Sequence, residues 1–364
     1  MVIPEICLYN ILLSYTRMGH GRGEDPLMKR WRNLALGAFL SAFFLWIALR
    51  GIDWRSIGTI LEQARWEYIV LASAIWALGL GARAMRWRVL LGSRVSAESS
   101  FHILNIGFLI NNTLPFRVGE LARAYLIGRS EHPVSGWAAL STIVTERVLD
   151  MLAVVLMLAV VLPVLAVDTA VVTGGLLLGS VALVGFGVLL LFAHRPDWAH
   201  HTLAFLLHVL PFLARLHPDS LLERLLDGLK PLTTWRGLIG AALWTGIGWG
   251  LSAAGSWVLA LVFPDLPQTA VIRAALTLSV VAASFSIIIP FTLASVGPFE
   301  AAAVFALVTA SVPQELAVTY AVVWHTAVVL NYALWGVVGM LALGLSPGQI
   351  QQGAAALGQQ QPGP

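Results

Sequence analysis

Asn111-Asn112-Thr113-Leu114-Pro115-Phe116-Arg117-Val118-Gly119-Glu120-Leu121-Ala122-Arg123 lies within a strongly apolar chain, yet it combines two amides, a helix-breaking Pro-x-x-x-Gly and three charges. Hydrocarbon cannot solvate such a segment, so it must be buried in protein or line a wet cavity. The apolar run before it, residues 101–110, is too short to cross a bilayer, which takes about 20 residues. The stretch therefore reads as half of a polar site inside a bundle of membrane helices.

Composition supports that setting. Hydrophobic residues make up 58% of the 364 and charged residues only 11%, against roughly a quarter charged in soluble domains. The mean hydropathy is +0.81. These values describe a polytopic membrane protein of the all-α class. A single cysteine, Cys7, excludes an internal disulfide framework and cysteine-based metal sites. The nine histidines show no metal-type spacing, so neither a metal nor a cofactor is expected. No Walker loop, nucleophile elbow, HExxH or nucleotide fingerprint occurs, and enzyme chemistry is not expected. Nothing points to nucleic acid as a partner.

Outward from the opening stretch, residues 33–345 form the expected membrane domain, with full spans over 34–49, 68–88, 137–167, 170–193, 238–263 and 317–345. Residues 1–32 carry Glu5, Glu24, Asp25 and the basic run Lys29-Arg30-Trp31-Arg32. They read as a cytosolic tail rather than a signal peptide, with Met18 and Met28 as other available starts. Residues 346–364, rich in Gln, Gly and Pro, read as disordered. Residues 194–236 form an amphipathic connector. There Leu221, Leu222, Leu225, Leu226 and Leu229 share one helical face opposite Glu223, Arg224 and Lys230, as in a helix lying in the interface. Basic residues flanking the spans place both termini and this connector in the cytoplasm.

A second break resembles the first. Leu114-Pro115-Phe116, Val118-Gly119 and Glu120 are matched by Ile289-Pro290-Phe291, Val296-Gly297 and Glu300, with a longer loop in the second copy. Three full spans separate the two breaks, an odd number, so they enter from opposite faces whether each is a re-entrant hairpin or a pair of crossings. Inverted repeats with discontinuous helices meeting near the midplane have this pattern.

The residue chemistry suits a phosphate. Helices starting at Gly119 and Gly297 would offer backbone N–H groups to an anion, and Arg117 and Arg123 add planar donors that grip phosphate bidentately. Glu120 and Glu300 would cap their helices, pair with arginine or receive a cationic headgroup. A mutual Glu120–Arg123 pair is the simplest structural alternative. Glu146-Arg147-x-x-Asp150 forms a third cluster, whose surplus acid calls for a partner among Arg83, Arg86 and Arg123. His325 lies midway along the last span, suited to a structural hydrogen bond or to titration in a proton-coupled cycle.

At these residues the chain resembles the lysylphosphatidylglycerol synthase transmembrane-region family, a flippase-like membrane domain found in bacteria. The resemblance runs over about residues 33–345. It rests on Arg83-Ala84-Met85-Arg86-Trp87-Arg88, on Asn112-Thr113-Leu114-Pro115-Phe116-Arg117-Val118-Gly119-Glu120-Leu121-Ala122-Arg123, on Glu146-Arg147-Val148-Leu149-Asp150, on Pro290 through Glu300, and on His325. The extra residues between Pro290 and Gly297 depart from the pattern. The resemblance implies a helical bundle with re-entrant elements in the bacterial plasma membrane, moving lipids between leaflets. Relatives with a cytosolic domain also transfer an amino acid from aminoacyl-tRNA to phosphatidylglycerol. No such domain is recognised here, and aminoacyl transfer is not expected. Two functions are thus expected from the sequence. One is a flippase for a phosphate-bearing or aminoacylated lipid. The other is a membrane subunit presenting a polyprenyl-phosphate or glycolipid to a partner glycosyltransferase without moving it.

Overall fold

The computed structural model describes residue 39 and residues 41–93, 95–113, 118–130, 132–165, 169–209, 218–285 and 293–345. Both chain tails, together with Pro115, Arg117 and Pro290 of the two breaks, lie outside the described residues.

Among the described residues every regular element is helical. A short α1 (residues 41–49) and α2 (Trp54–Glu62) lead into α3 (Glu67–Leu90). The first break separates α4 (Ala97–Thr113) from α5 (Val118–Ile127), and α6 (Gly136–Val161) follows. Next come α7 (Thr169–His194), α8 (Pro196–Val209) and α9 (Pro218–Leu229). α10 (Trp235–Ala260) precedes the second break, between α11 (Ala270–Phe285) and α12 (Pro298–Val308), and α13 (Gln314–Ala342) closes the bundle. Polar side chains set several starts: Asp53 accepts from the Arg55 N–H before α2, Ser135 from Ala138 before α6, and Thr234 from Gly237 before α10.

α3, α10 and α13 are long and apolar enough to cross a membrane, with 24, 26 and 29 residues. At 1.5 Å per residue each exceeds the ~30 Å of hydrocarbon. From Gly179, α7 continues into α8 through a bend of 111°, a broken span or a re-entrant loop. α6 has 26 residues, but carries Glu146, Arg147 and Asp150 along its length.

The expected repeat is present in the packing. α3 packs on α10, α4 on α13, and α11 on α6. Within each half, the broken pairs α4–α5 and α11–α12 pack as hairpins, and α5 and α12 pack on α6 and α13. Exchanging α3–α6 for α10–α13 leaves the set of packed pairs unchanged. The two central helices are antiparallel. Trp76 meets Ser252 and Gly255, Gly79 meets Gly248 and Leu251, Arg86 meets Thr245, and Val89 meets Gly240. The Arg65 N–H also donates to the Val262 carbonyl at 2.8 Å. A symmetry that reverses a spanning helix is inversion across the membrane, so the halves are inverted repeats.

Glycines permit this central contact. A Cβ built on Gly79 would lie 3.8 Å from the Gly248 carbonyl oxygen, and one on Gly248 would lie 4.0 Å from that of Gly79. Small residues of this kind let membrane helices approach closely, where apolar burial gives little preference for protein over lipid. One apolar core, with Trp87, Ile103, Leu104 and Ile127, lies within the first half; a larger one joins Leu259, Phe263, Leu276, Leu307 and Tyr320 to Trp76 of α3 and Leu158 of α6.

The connector departs from the span of α7 at the bend, and α9 lies against α6. Ser141 donates to the Leu225 carbonyl at 2.7 Å, and Gly228 sits against Ser141 with no room for a side chain. Leu226 and Leu229 are buried while Glu223, Asp227 and Lys230 are exposed, as the amphipathic pattern predicts.

Candidate functional site

The first break works as a tight hairpin. Gly107 and Gly119 face each other, and a Cβ on Gly107 would fall 2.6 Å from Cγ of Arg123. The Arg123 stem therefore crosses the α4 backbone at the one residue that leaves it space. The Gly119 N–H, expected to be open to an anion, donates to the Asn111 side-chain oxygen at 2.8 Å. Asn112 instead turns back onto its own helix, donating to the Phe108 carbonyl. The capping amide is thus the neighbour of the one singled out from sequence, and the Gly119 N–H is already satisfied.

Four ion pairs join α3, α5 and α6 beside this hairpin. Arg123 grips Glu146 of α6 with both terminal nitrogens, at 3.0 and 3.2 Å. Its guanidinium carbon lies 4.2 Å from the centroid of Trp87, whose indole N–H donates to Thr142. This stacking replaces hydration that the buried cation has lost. Arg86 of α3 grips Asp150 of α6, and Trp249 of α10 donates to the same carboxylate at 3.0 Å. Arg147 bridges Glu120, at 2.9 Å, and Asp150, at 3.7 Å. Among the described residues Glu120 and Arg123 each pair with α6 rather than with one another. Trp87, Thr142, Trp249 and Asn111 were not singled out as site residues from sequence. For the indoles the signal was available, because a Trp N–H within a span needs an acceptor.

Burial is graded across the cluster. The Arg123 and Glu146 side chains are each 2% exposed, whereas Arg147 and Glu120 are 33% and 23% exposed. The network has a sealed end and an accessible end. Arg83 makes only a hydrogen bond to the Ser252 hydroxyl, at 2.9 Å, and no carboxylate pairs with it among the described residues. Among the described residues, four guanidinium groups thus face three carboxylates, and Arg83 is the one without a carboxylate partner. Among the described residues, no acceptor reaches the buried Nε of Arg86, Arg123 or Arg147. An unmet buried donor costs about 1–3 kcal/mol.

The second break builds a different pair at the equivalent place. Ala294 and Ser295 adopt left-handed conformations (φ 49° and 62°), as does Gly297 (φ 92°). Glycine is required at 297 for space as well as for angle, because the Ser41 carbonyl occupies the position of a Cβ. Glu300 accepts the Gly297 N–H at 2.7 Å, so this expected anion donor is also occupied. Its other oxygen meets Nδ1 of His325 at 2.6 Å, and Nε2 of His325 reaches the Ala294 carbonyl at 2.9 Å. Phe299 stacks on the imidazole at 4.2 Å.

An apolar inverted-repeat bundle with charged pairs at both of its breaks defines an integral membrane protein with an intramembrane polar site. The chain matches the family described as lysylphosphatidylglycerol synthase TM region over residues 34–336, and it belongs to that family. The family is membrane-embedded and linked to lipid handling. No curated protein and no solved structure matches the chain.

Proposed function

We propose that the protein moves a phosphate-bearing lipid headgroup, aminoacylated or not, between the leaflets of a bacterial plasma membrane, with both termini in the cytoplasm. The observation that carries this reading is the graded network of Arg86, Arg123, Arg147, Glu120, Glu146 and Asp150. A charge at mid-span costs about 2.5–3.5 kcal/mol on insertion scales, and such residues mark substrate paths.

The accessible end supplies the entrance. Arg147 is shared by two carboxylates, and a phosphate that displaces Glu120 keeps the guanidinium paired throughout. A headgroup bearing an ammonium as well as a phosphate would insert into the pair and satisfy both of its members. Arg83 contributes the extra positive charge, and Arg117, three residues before Glu120 in sequence, a further donor. The sealed Arg123–Glu146 pair closes the far end of the path, while acyl chains stay in the bilayer against the apolar helix faces.

The test is leaflet exchange of a fluorescent phosphatidylglycerol in vesicles carrying the purified full chain. The wild type should accelerate exchange, and Arg147→Gln should slow it at least about tenfold, equivalent to 1.4 kcal/mol, with little change in melting temperature. Exchange at the wild-type rate in Arg147→Gln would sink the proposal. Retention of a polyprenyl phosphate without exchange would replace it with the reading of a lipid-presenting subunit for a partner transferase.

A further inference from the structure

The packing exchange that relates the halves carries α5 onto α12 and α6 onto α13. In each half the short helix after the break pairs with the long helix that follows: Glu120–Arg147 and Arg123–Glu146 in the first, Glu300–His325 in the second. The chemistry of the two halves differs. An Arg–Glu pair keeps its charges at any physiological pH, whereas imidazole changes charge near neutrality.

Hydrogen-bond accounting fixes what the second pair holds. The Ala294 carbonyl can only accept, so Nε2 of His325 must carry its proton. The opposite contact, Nδ1 to Glu300 at 2.6 Å, joins an imidazole nitrogen to a carboxyl oxygen and requires one more proton between them. Without it, a lone pair would face a carboxylate in a buried site. The geometry points to Glu300 and His325 as an intramembrane proton-binding site, with proton binding coupled to the turn at residues 294–297.

The cycle balances. On release, one proton passes to water, leaving a neutral imidazole whose Nε2–H stays with Ala294 and a Glu300 carboxylate repelled by Nδ1. That repulsion frees the turn at residues 294–297, where Ala294 and Ser295 are held in strained left-handed conformations. Rebinding takes one proton from whichever side the site then faces, and closes the turn again.

Other charged or titratable groups sit on the surrounding elements. They are Arg50 after α1, Asp53, Arg55 and Glu62 at α2, and Glu67, Arg83, Arg86 and Arg88 on α3. Glu98 and His102 lie on α4, Arg236 on α10, Arg273 on α11, and Glu315 and Tyr320 on α13. Among the described residues none of them forms an ion pair with Glu300 or His325. What the proton drives rests on the lipid-moving reading; where it binds does not.

Two measurements separate these. Imidazole nitrogen NMR of the full chain in lipid nanodiscs, over about pH 5 to 8, should reveal, beside His194 and His201 whose Nδ1 meets a backbone carbonyl, the His325 ring with Nδ1 carrying or sharing a proton at neutral pH. That signal should vanish in His325→Gln and move in Glu300→Gln, which keeps the ring. A bare Nδ1 across the range in the wild type, a measurement that needs no variant, overturns the site. In vesicles holding fluorescent phosphatidylglycerol, an imposed pH gradient should shift the steady leaflet ratio by up to about tenfold per pH unit for one-for-one exchange. His325→Gln should abolish that shift. Lipid movement blind to the gradient overturns the coupling even if the shared proton is seen. A shared proton in a protein that moves no lipid leaves the site standing and removes the transport reading instead.

Discussion

Each charged side chain of the first cluster owes its state to what surrounds it. Arg123 is held by two carboxylate oxygens and an indole face, and its stem passes over Gly107. Glu146→Gln would leave that guanidinium buried without a counter-charge, a defect of about 3–5 kcal/mol. Glu120→Gln, at the accessible end, should cost no more than about 1 kcal/mol. Thermal unfolding of the purified variants checks the order, with Glu146→Gln well below Glu120→Gln. Arg123→Lys should resemble Glu146→Gln rather than the wild type, since an ammonium can neither bridge both oxygens nor stack flat on Trp87.

The helices meet through glycines that differ sharply in what surrounds them. Gly119 and Gly255 have no space for a methyl group, the first against the Gly107 carbonyl and the second against the Trp76 indole, whereas Gly250 faces open space. Alanine at 119 or 255 should therefore cost about 1–3 kcal/mol by overpacking, and at 250 almost nothing; melting temperatures in one detergent distinguish them. At this scale much was legible in the sequence. The recurrence of Pro-Phe, Val-Gly and Glu located both hairpins, and the spacing of Glu146 and Asp150 placed them on one face. The candidate partners were legible, since Arg86 and Arg123 do meet the acids of α6, but which arginine takes which acid was not. That Arg123 finds Glu146 depends on how α5 lies on α6, a tertiary contact with no local signature. That Asn111 rather than Asn112 meets the Gly119 N–H reflects a single helical step, about 100° around the axis, which an isolated pair of adjacent amides does not resolve.

The whole molecule is organised by antiparallel α3 and α10, and this predicts sidedness. In a background with Cys7 replaced by serine, cysteines at Glu62 and Asp265 should react with an impermeant reagent from one face of sealed vesicles. Cysteines at Ser93 and Arg236 should react from the other. Labelling of Glu62→Cys and Asp265→Cys from opposite faces would contradict the antiparallel pairing. The Gly79–Gly248 contact has a mechanical consequence as well. Because neither glycine carries a side chain into the other helix, the contact can act as a fulcrum on which one half rocks against the other. A lever balanced there has no preferred tilt of its own. Direction must come from its unequal arms, one latched by a permanent Arg–Glu pair and the other by a Glu–His latch.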